Sequence, residues 1–224
     1  MPTASGDPDE QVARFHEAFD DLPCRPSVLR LFRRADDPVP LAERLLAQDV
    51  IYVGGGSMRN LLAIWRAHQL DALLPACWRR GIALAGLSAG AMCWFAGGIT
   101  RSGGKAEPIG GLGLLDGSLS VHLRGEPARH PAFREAVRRG TLPDGWALDD
   151  GAALLFEERR LARVVSSRPD ARAVRVERRA GEVVEEELAC ELLTAPAPTE
   201  PRPVPPDIRE LRALRYGPLT RRTA

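Results

Sequence analysis

Residues 81–95 read Gly81-Ile82-Ala83-Leu84-Ala85-Gly86-Leu87-Ser88-Ala89-Gly90-Ala91-Met92-Cys93-Trp94-Phe95. The apolar run over 82–87 has the length and composition of a buried strand. It stops at Ser88, small residues follow, and the run beyond can continue as a helix. The spacing G-x-S-x-G between a strand and a helix is that of a nucleophile elbow. The small residues have a steric reason. A sharp strand-to-helix turn pushes the serine Oγ outward, and side chains two residues to either side would collide. Ser88 also stands at the start of the next helix, whose free N–H groups and dipole favour negative charge. A developing oxyanion would be stabilised there. A plainer alternative is that Gly86 and Gly90 only allow tight helix–strand packing and that Ser88 is an N-cap.

Upstream of the elbow, Asp49-Val50-Ile51-Tyr52-Val53 is a β run that stops at Gly54-Gly55-Gly56. Helices are expected over 60–68 and 71–80, parted near Gln69. Earlier still, 28–32 reads as a strand and 40–48 as a helix with Leu41, Leu45 and Leu46 on its inner face. Val12, Phe15, Phe19 and Leu22 recur at helical spacing and predict an amphipathic helix over 8–21, with Asp7 as N-cap and Pro8 at its first position. This alternation of strand and helix with short loops predicts a parallel sheet covered by helices on both faces.

Downstream, the glycine-rich run after Phe95 predicts a loop or hairpin. A strand over 118–122 and a helix over 131–139 follow. From Trp146 the pattern changes to strands and hairpins, over 146–148, 152–156, 161–165, 173–177 and 183–188. Residues 194–224 hold a proline cluster, with a short helical segment expected near 208–214, and read as a mobile tail. The expected organisation is therefore one domain over 1–193 and a tail over 194–224.

A chain of 224 residues suffices for one domain with a sizeable core. Its net charge of +1 provides no strong field toward nucleic acid or a membrane surface. The four cysteines, Cys24, Cys77, Cys93 and Cys190, lie apart with no CxxC spacing, so neither a zinc site nor a disulfide framework is indicated. No signal peptide or membrane-spanning run is visible, and the expected compartment is the cytoplasm.

A serine nucleophile needs a base, most often a histidine held by an acid. Of the four histidines, His16 and His68 fall on helices before the elbow and read as surface or packing residues. His130, beside Pro131, reads as a helix cap. His122 ends an expected strand, where α/β sheets place their sites, and is the favoured base. Asp149-Asp150-Gly151 follows an apolar run and fits the acid. Two adjacent carboxylates cannot both orient one imidazole, so one should face inward and the other should be a turn residue. Both could also merely form the turn of a hairpin. An oxyanion hole needs two backbone donors. Ala89 N–H is one, and the Gly54–Gly56 loop, at the end of a neighbouring strand, is a source of the second. No G-x-G-x-x-G and no Walker lysine is present, so a nucleotide site is weakly supported. The order Ser88…His122…Asp150 disfavours the α/β-hydrolase fold, in which the acid precedes the histidine.

With these residues in place the chain resembles the peptidase E family of serine peptidases (aspartyl dipeptidases), of the class I glutamine amidotransferase-like fold. The matching stretches are Pro2-Thr3-Ala4-Ser5-Gly6-Asp7, 49–56, 85–95, Gly111-Leu112-Gly113-Leu114-Leu115, His122 and 142–153. The resemblance implies a flavodoxin-like α/β three-layer sandwich with a mostly parallel sheet and C-terminal hairpins. It implies Ser88 as nucleophile, His122 as base and Asp150 as acid, with oxyanion donors at Gly55, Gly56 and Ala89. It also implies cleavage of short peptides with an N-terminal aspartate, without metal or cofactor, by a monomer or homodimer. The aspartate side chain would need a cation, for which Arg59, Arg101 and Arg124 are candidates. A cyanophycinase-like peptidase of another acidic substrate and an inactive truncated homologue are the rival readings.

Members of that family carry strands ahead of the Pro-Thr-Ala-Ser-Gly-Asp loop, and here the chain begins at Met1. The expectation is an internal start or a truncated gene, since loss of those strands would expose an apolar sheet edge. Intact-mass measurement of the native protein should then give a mass above that of 224 residues; a matching mass would exclude the internal start.

Overall fold

The computed structural model describes residues 1–20, 22–33 and 39–194. In chain order the elements are a 3-10 turn (Thr3–Ser5), α1 (Asp9–Phe19), α2 (Leu41–Leu46), β1 (Val50–Val53), α3 (Met58–Ala67), α4 (Leu70–Arg79), β2 (Ala83–Gly86), α5 (Ala89–Met92), β3 (Phe95–Thr100), β4 (Glu107–Gly110), β5 (Leu115–Ser120), α6 (Arg129–Arg138), β6 (Gly145–Leu148), β7 (Ala152–Glu157), β8 (Arg160–Ser166), β9 (Ala173–Arg179), β10 (Glu182–Leu188) and β11 (Glu191–Leu192). Met1–Leu193 gather into one unit. The tail expected over 194–224 lies, apart from Thr194, outside the described residues.

The fold is mixed α/β. β1 and β2 form a parallel pair, with Val50 opposite Ala83 and Val53 opposite Gly86. A six-stranded sheet runs β10-β9-β6-β5-β3-β4, and a three-stranded one runs β11-β8-β7. Parallel pairing joins β3 to β5 and β5 to β6 at the centre of the large sheet. Antiparallel pairs flank it, β3 with β4 on one side and β6 with β9, then β9 with β10, on the other. The strands do not join in the single sheet expected, because the β1–β2 pair has no ladder to β5.

Alternation along the strands of the large sheet shows what covers each face. Trp146 and Leu148 of β6 and Ala173 of β9 belong to the larger core, with Phe95 and the elbow residues Ala89 and Met92. Ala147, Val174 and Val176 point the other way, into a second core closed by Phe133, Ala136 and Val137 of α6. On the first face Phe95, Trp146 and Phe156 pack as a trio with ring centroids 5.6–5.8 Å apart, which seats the three-stranded sheet. α3 buries Met58, Leu61, Leu62 and Trp65. Its start is capped by Ser57, whose side chain accepts from Asn60 N–H.

Several expectations fail for physical reasons. The strand expected over 28–32 is not a regular element. Leu29 and Leu31 are buried as alternation predicts, but Phe32 N–H donates to the Asp7 carboxylate rather than to a neighbouring strand. That contact also explains why Asp7 is not the N-cap of α1; it has a φ of 58° and points its carboxylate to Phe32, leaving Pro8 as N-cap. The helix after the elbow lasts four residues, not through Phe95. Phe95 enters β3, where Gly98 lets the chain pass close to β5: a Cβ there would lie 2.4 Å from Leu119 O. His130 lies inside α6 and bonds Glu185 at 2.9 Å rather than capping the helix.

The tightest approach is at the elbow. A Cβ on Gly86 would sit 1.9 Å from Gly90 O, and one on Gly90 would sit 2.2 Å from Val53 O. Gly86→Ala should therefore cost about 3 kcal/mol or more in urea unfolding, since the obstructing atoms are backbone. Gly103→Ala would meet only the end of the Glu107 side chain and should stay within about 1 kcal/mol of wild type; equal effects of the two would show that the elbow backbone gives way freely.

Candidate active site

Ser88 is held at φ 53° and ψ −114°, a conformation that costs a residue with a side chain about 1–3 kcal/mol and persists only when its surroundings impose it. The imposing bonds are visible. Leu87 N–H donates to Val53 O at 3.0 Å and Gly90 N–H to Leu87 O at 2.9 Å. Ala91 and Met92 N–H both donate to Ser88 O at 3.0 Å. Ser88 occupies the N-cap position of α5, yet its side chain makes no capping bond. The hydroxyl instead meets His122 Nε2 at 3.0 Å, so the simple N-cap alternative fails.

His122, expected as the last residue of a strand over 118–122, stands two residues past the end of β5, with a φ of 60°. Glu126 N–H closes a turn onto His122 O at 2.9 Å, and Leu123 N–H reaches Leu148 O at 2.9 Å. Because β5 and β6 are parallel neighbours, the loops carrying His122 and Asp149-Asp150 leave the sheet at the same carboxyl end. His122 Nδ1 meets Asp150 Oδ1 at 2.5 Å. With Nδ1 protonated toward that carboxylate, Nε2 is the acceptor for the Ser88 hydroxyl.

The two adjacent aspartates have different surroundings. Asp150 is half exposed beside Gly151, whose φ of 91° makes the turn. Asp149 is buried and accepts three N–H bonds: from Arg124 N and Arg172 N, each at 3.0 Å, and from Arg124 Nε at 2.6 Å. Asp150, not Asp149, touches the imidazole.

The glycine loop abuts the elbow. Gly54 N–H donates to Met1 O and Ser57 N–H to Ala4 O. The N–H groups of Gly55, Gly56 and Ala89 have no backbone acceptor among the described residues. A Cβ on Gly55 would lie 3.2 Å from Ser88 Cβ and 3.8 Å from its Oγ, whereas one on Gly56 would strike Ala4 O at 2.3 Å. Gly55 thus borders the serine, and Gly56 is backed against the N-terminal turn.

Each of the three candidate arginines has a carboxylate partner. Arg59 bonds Glu107 at 2.6 Å, Arg101 bonds Glu126 at 3.2 Å, and Arg124 bonds Asp149 and Asp170. The Asp149 hydrogen bond leads the causes that raise the Arg124 pKa. Sequence reasoning missed Glu126. Its backbone turns onto His122, and its carboxylate accepts from Arg101 and from Arg129 Nε at 2.9 Å. Burial pushes the Glu126 carboxyl up, but hydrogen bonds from Arg129 and Arg101 and the nearby His122 outweigh it and hold it below the usual range. The four-residue spacing from His122 to Glu126 was the available signal, and it is too common to single out. Cys93, one turn past the elbow, is buried and donates to Gly90 O; burial pushes its thiol well up, away from nucleophilic use. Among the described residues no three or more His, Cys, Asp or Glu side chains are grouped to hold a metal ion, and no helix is long and apolar enough to cross a membrane.

Peptidase family S51 matches residues 1–164. A relative from Bacillus subtilis (strain 168), described as the uncharacterized peptidase YgaJ, is 43% identical over 193 residues, covering 86% of this chain and 83% of its own. The crystal structure of a peptidase from an acI-B1 Actinobacterium superposes with a TM-score of 0.59 at 20% identity, over 84% of this chain and 79% of that one, and so shares the fold. The chain belongs to peptidase family S51 and is a peptidase of the serine type.

Proposed function

We propose that the chain hydrolyses short peptides, in particular dipeptides with an N-terminal aspartate, through an acyl-enzyme on Ser88. The observation that carries this reading is the continuous contact Ser88–His122–Asp150, at 3.0 and 2.5 Å. His122 Nε2 takes the hydroxyl proton as Oγ attacks the peptide carbonyl. Asp150 holds the Nδ1 proton, which keeps the imidazole oriented and stabilises its charged form. The amides of Ala89 and Gly55, both beside Ser88, receive the oxyanion, an interaction whose loss in related chemistry costs about 10²–10³ in rate. The imidazolium then returns its proton to the leaving amine. Water, deprotonated by the same nitrogen, attacks the ester and frees Ser88.

For the substrate's aspartate side chain, Arg101 is best suited of the three candidates. Its ion pair with Glu126 is 3.2 Å long, whereas Arg59 and Arg124 each hold a carboxylate at 2.6 Å, and its partner Glu126 lies on the loop that follows His122. Arg59 is pulled toward Glu107 on β4, and Arg124 toward Asp149 and Asp170. Exposed pairs of this kind are worth about 0–1 kcal/mol, so a substrate carboxylate can replace Glu126 at little cost.

Ser88→Ala is expected to lower hydrolysis of Asp-X dipeptides by about 10⁴-fold or more with an unchanged melting temperature, and to abolish labelling by a neutral fluorophosphonate. Activity equal to wild type would end the proposal. Arg101→Met should raise KM for Asp-X substrates about tenfold while leaving fluorophosphonate labelling unchanged. An equal loss on substrates lacking the acid would remove Arg101 from specificity.

A further inference from the structure

Arg124 and Asp149 form the second connection between the two loops that carry His122 and Asp150, and neither touches Ser88. Arg124 donates to Asp149 through both its backbone N–H, at 3.0 Å, and its Nε, at 2.6 Å, so both carboxylate oxygens are engaged from the His122 loop. The same carboxylate receives Arg172 N–H at 3.0 Å, and Asp149 N–H donates to Arg172 O at 2.9 Å, which anchors the aspartate at the start of β9. Arg124 continues to Asp170 through Nη2, meeting both its backbone carbonyl and its carboxylate. Asp149 is 4% exposed, so this is a buried, fully partnered carboxylate in a low-dielectric setting, where such bonds are strong and their loss is costly. What it holds is strained. His122 lies between β5 and Arg124 with a φ of 60°, a conformation a histidine keeps only when its neighbours fix it.

We propose that Asp149 and Arg124 act as one positioning couple that sets the distance between His122 and Asp150, and that Arg124 is not the cation for the substrate's carboxylate. This inference rests on the acyl-enzyme reading for its consequence in rate, but not for its geometry. The imidazole is aimed from two sides: the Asp150 carboxylate pulls on Nδ1, and the couple sets the backbone from which the ring projects. Without the couple the left-handed turn at His122 relaxes, and the ring leaves one of its two partners. A positioning role predicts a loss in the chemical step for every substrate. A role in binding an acidic side chain predicts a higher KM for acidic substrates alone.

The test compares Arg124→Met, Arg124→Lys, Asp149→Asn and the double variant Arg124→Met/Asp149→Asn with wild type, each checked for a native unfolding transition. The readouts are the second-order rate of Ser88 labelling by a neutral fluorophosphonate and the proton resonance of His122 Nδ1–H in ¹⁵N-histidine-labelled protein. Labelling should slow about tenfold to a hundredfold in each single variant, as displacements near 1 Å do. The double variant should be no slower than the worse single one. The Nδ1–H resonance, sharp in wild type and absent in Asp150→Asn, should broaden or vanish in the same variants. Arg124→Lys keeps the charge without the Nε–H fork and should recover neither property. Arg124 is half exposed, so its variants keep the test readable even where Asp149→Asn does not fold. The couple is overturned by an unchanged resonance, by the lack of a sharp resonance in wild type, or by unchanged labelling with a raised KM for Asp-X substrates. If wild type resists labelling while the resonance is lost in the variants, the couple stands and the acyl-enzyme on Ser88 falls.

Discussion

Everything at the site depends on one close approach of backbone to backbone. β2 ends where α5 begins, and Gly86 and Gly90 let the two chains cross so tightly that a single Cβ at either position would overlap a carbonyl oxygen. Gly90 also lies against Val53 O and Gly54 O, so the same crossing draws the end of β1 to the elbow. Ser88 is squeezed into a positive φ between them. A turn this sharp cannot bury its side chain, and Oγ is left facing the loops beyond the neighbouring strands. The strain at Ser88 is thus a consequence of packing that stabilises the fold elsewhere.

The remaining parts are brought to that hydroxyl by topology. β1, β2, β5 and β6 pair in parallel within their sheets, and the loops after them hold Gly55, Ser88, His122 and Asp150. Connections at the carboxyl ends of parallel strands converge on one edge of the sheet. None of these residues is close to another in sequence: Ser88 and His122 are 34 positions apart, and His122 and Asp150 are 28 apart. The antiparallel strands at the margins serve differently. β9 supplies no group that touches Ser88, but Arg172, beside its start, anchors Asp149. The sheet margin therefore reaches the site through a buried carboxylate.

Legibility in the sequence followed the range of the forces involved. Elements formed by local pattern, such as α3, α4, β1 and β2, fall within one or two residues of where periodicity places them. The stretch over 28–32 has the alternation of a strand and the burial of one, but a strand needs a partner, and the partner for Phe32 N–H is the Asp7 side chain. The same contact undid the N-cap reading of Asp7. The run after the elbow could continue as a helix, but the helix ends at Met92 and Phe95 begins β3, which pairs with both β4 and β5.

By itself the sequence determined the residue types of the elbow, the spacing of its glycines and the presence of one histidine and one aspartate pair at strand ends. Those features are local, and steric rules act on them directly. Only the tertiary structure distinguished Asp149 from Asp150. The two are adjacent and chemically identical, so no rule on the chain separates them. The strand arrangement does: it turns Asp149 toward the buried amide of Arg172 and the Arg124 fork, and leaves Asp150 on the rim against His122. Likewise, an arginine in sequence is only a charge. Which carboxylate it meets, and so whether it is free to meet a substrate, is decided by what the fold places within a few ångströms.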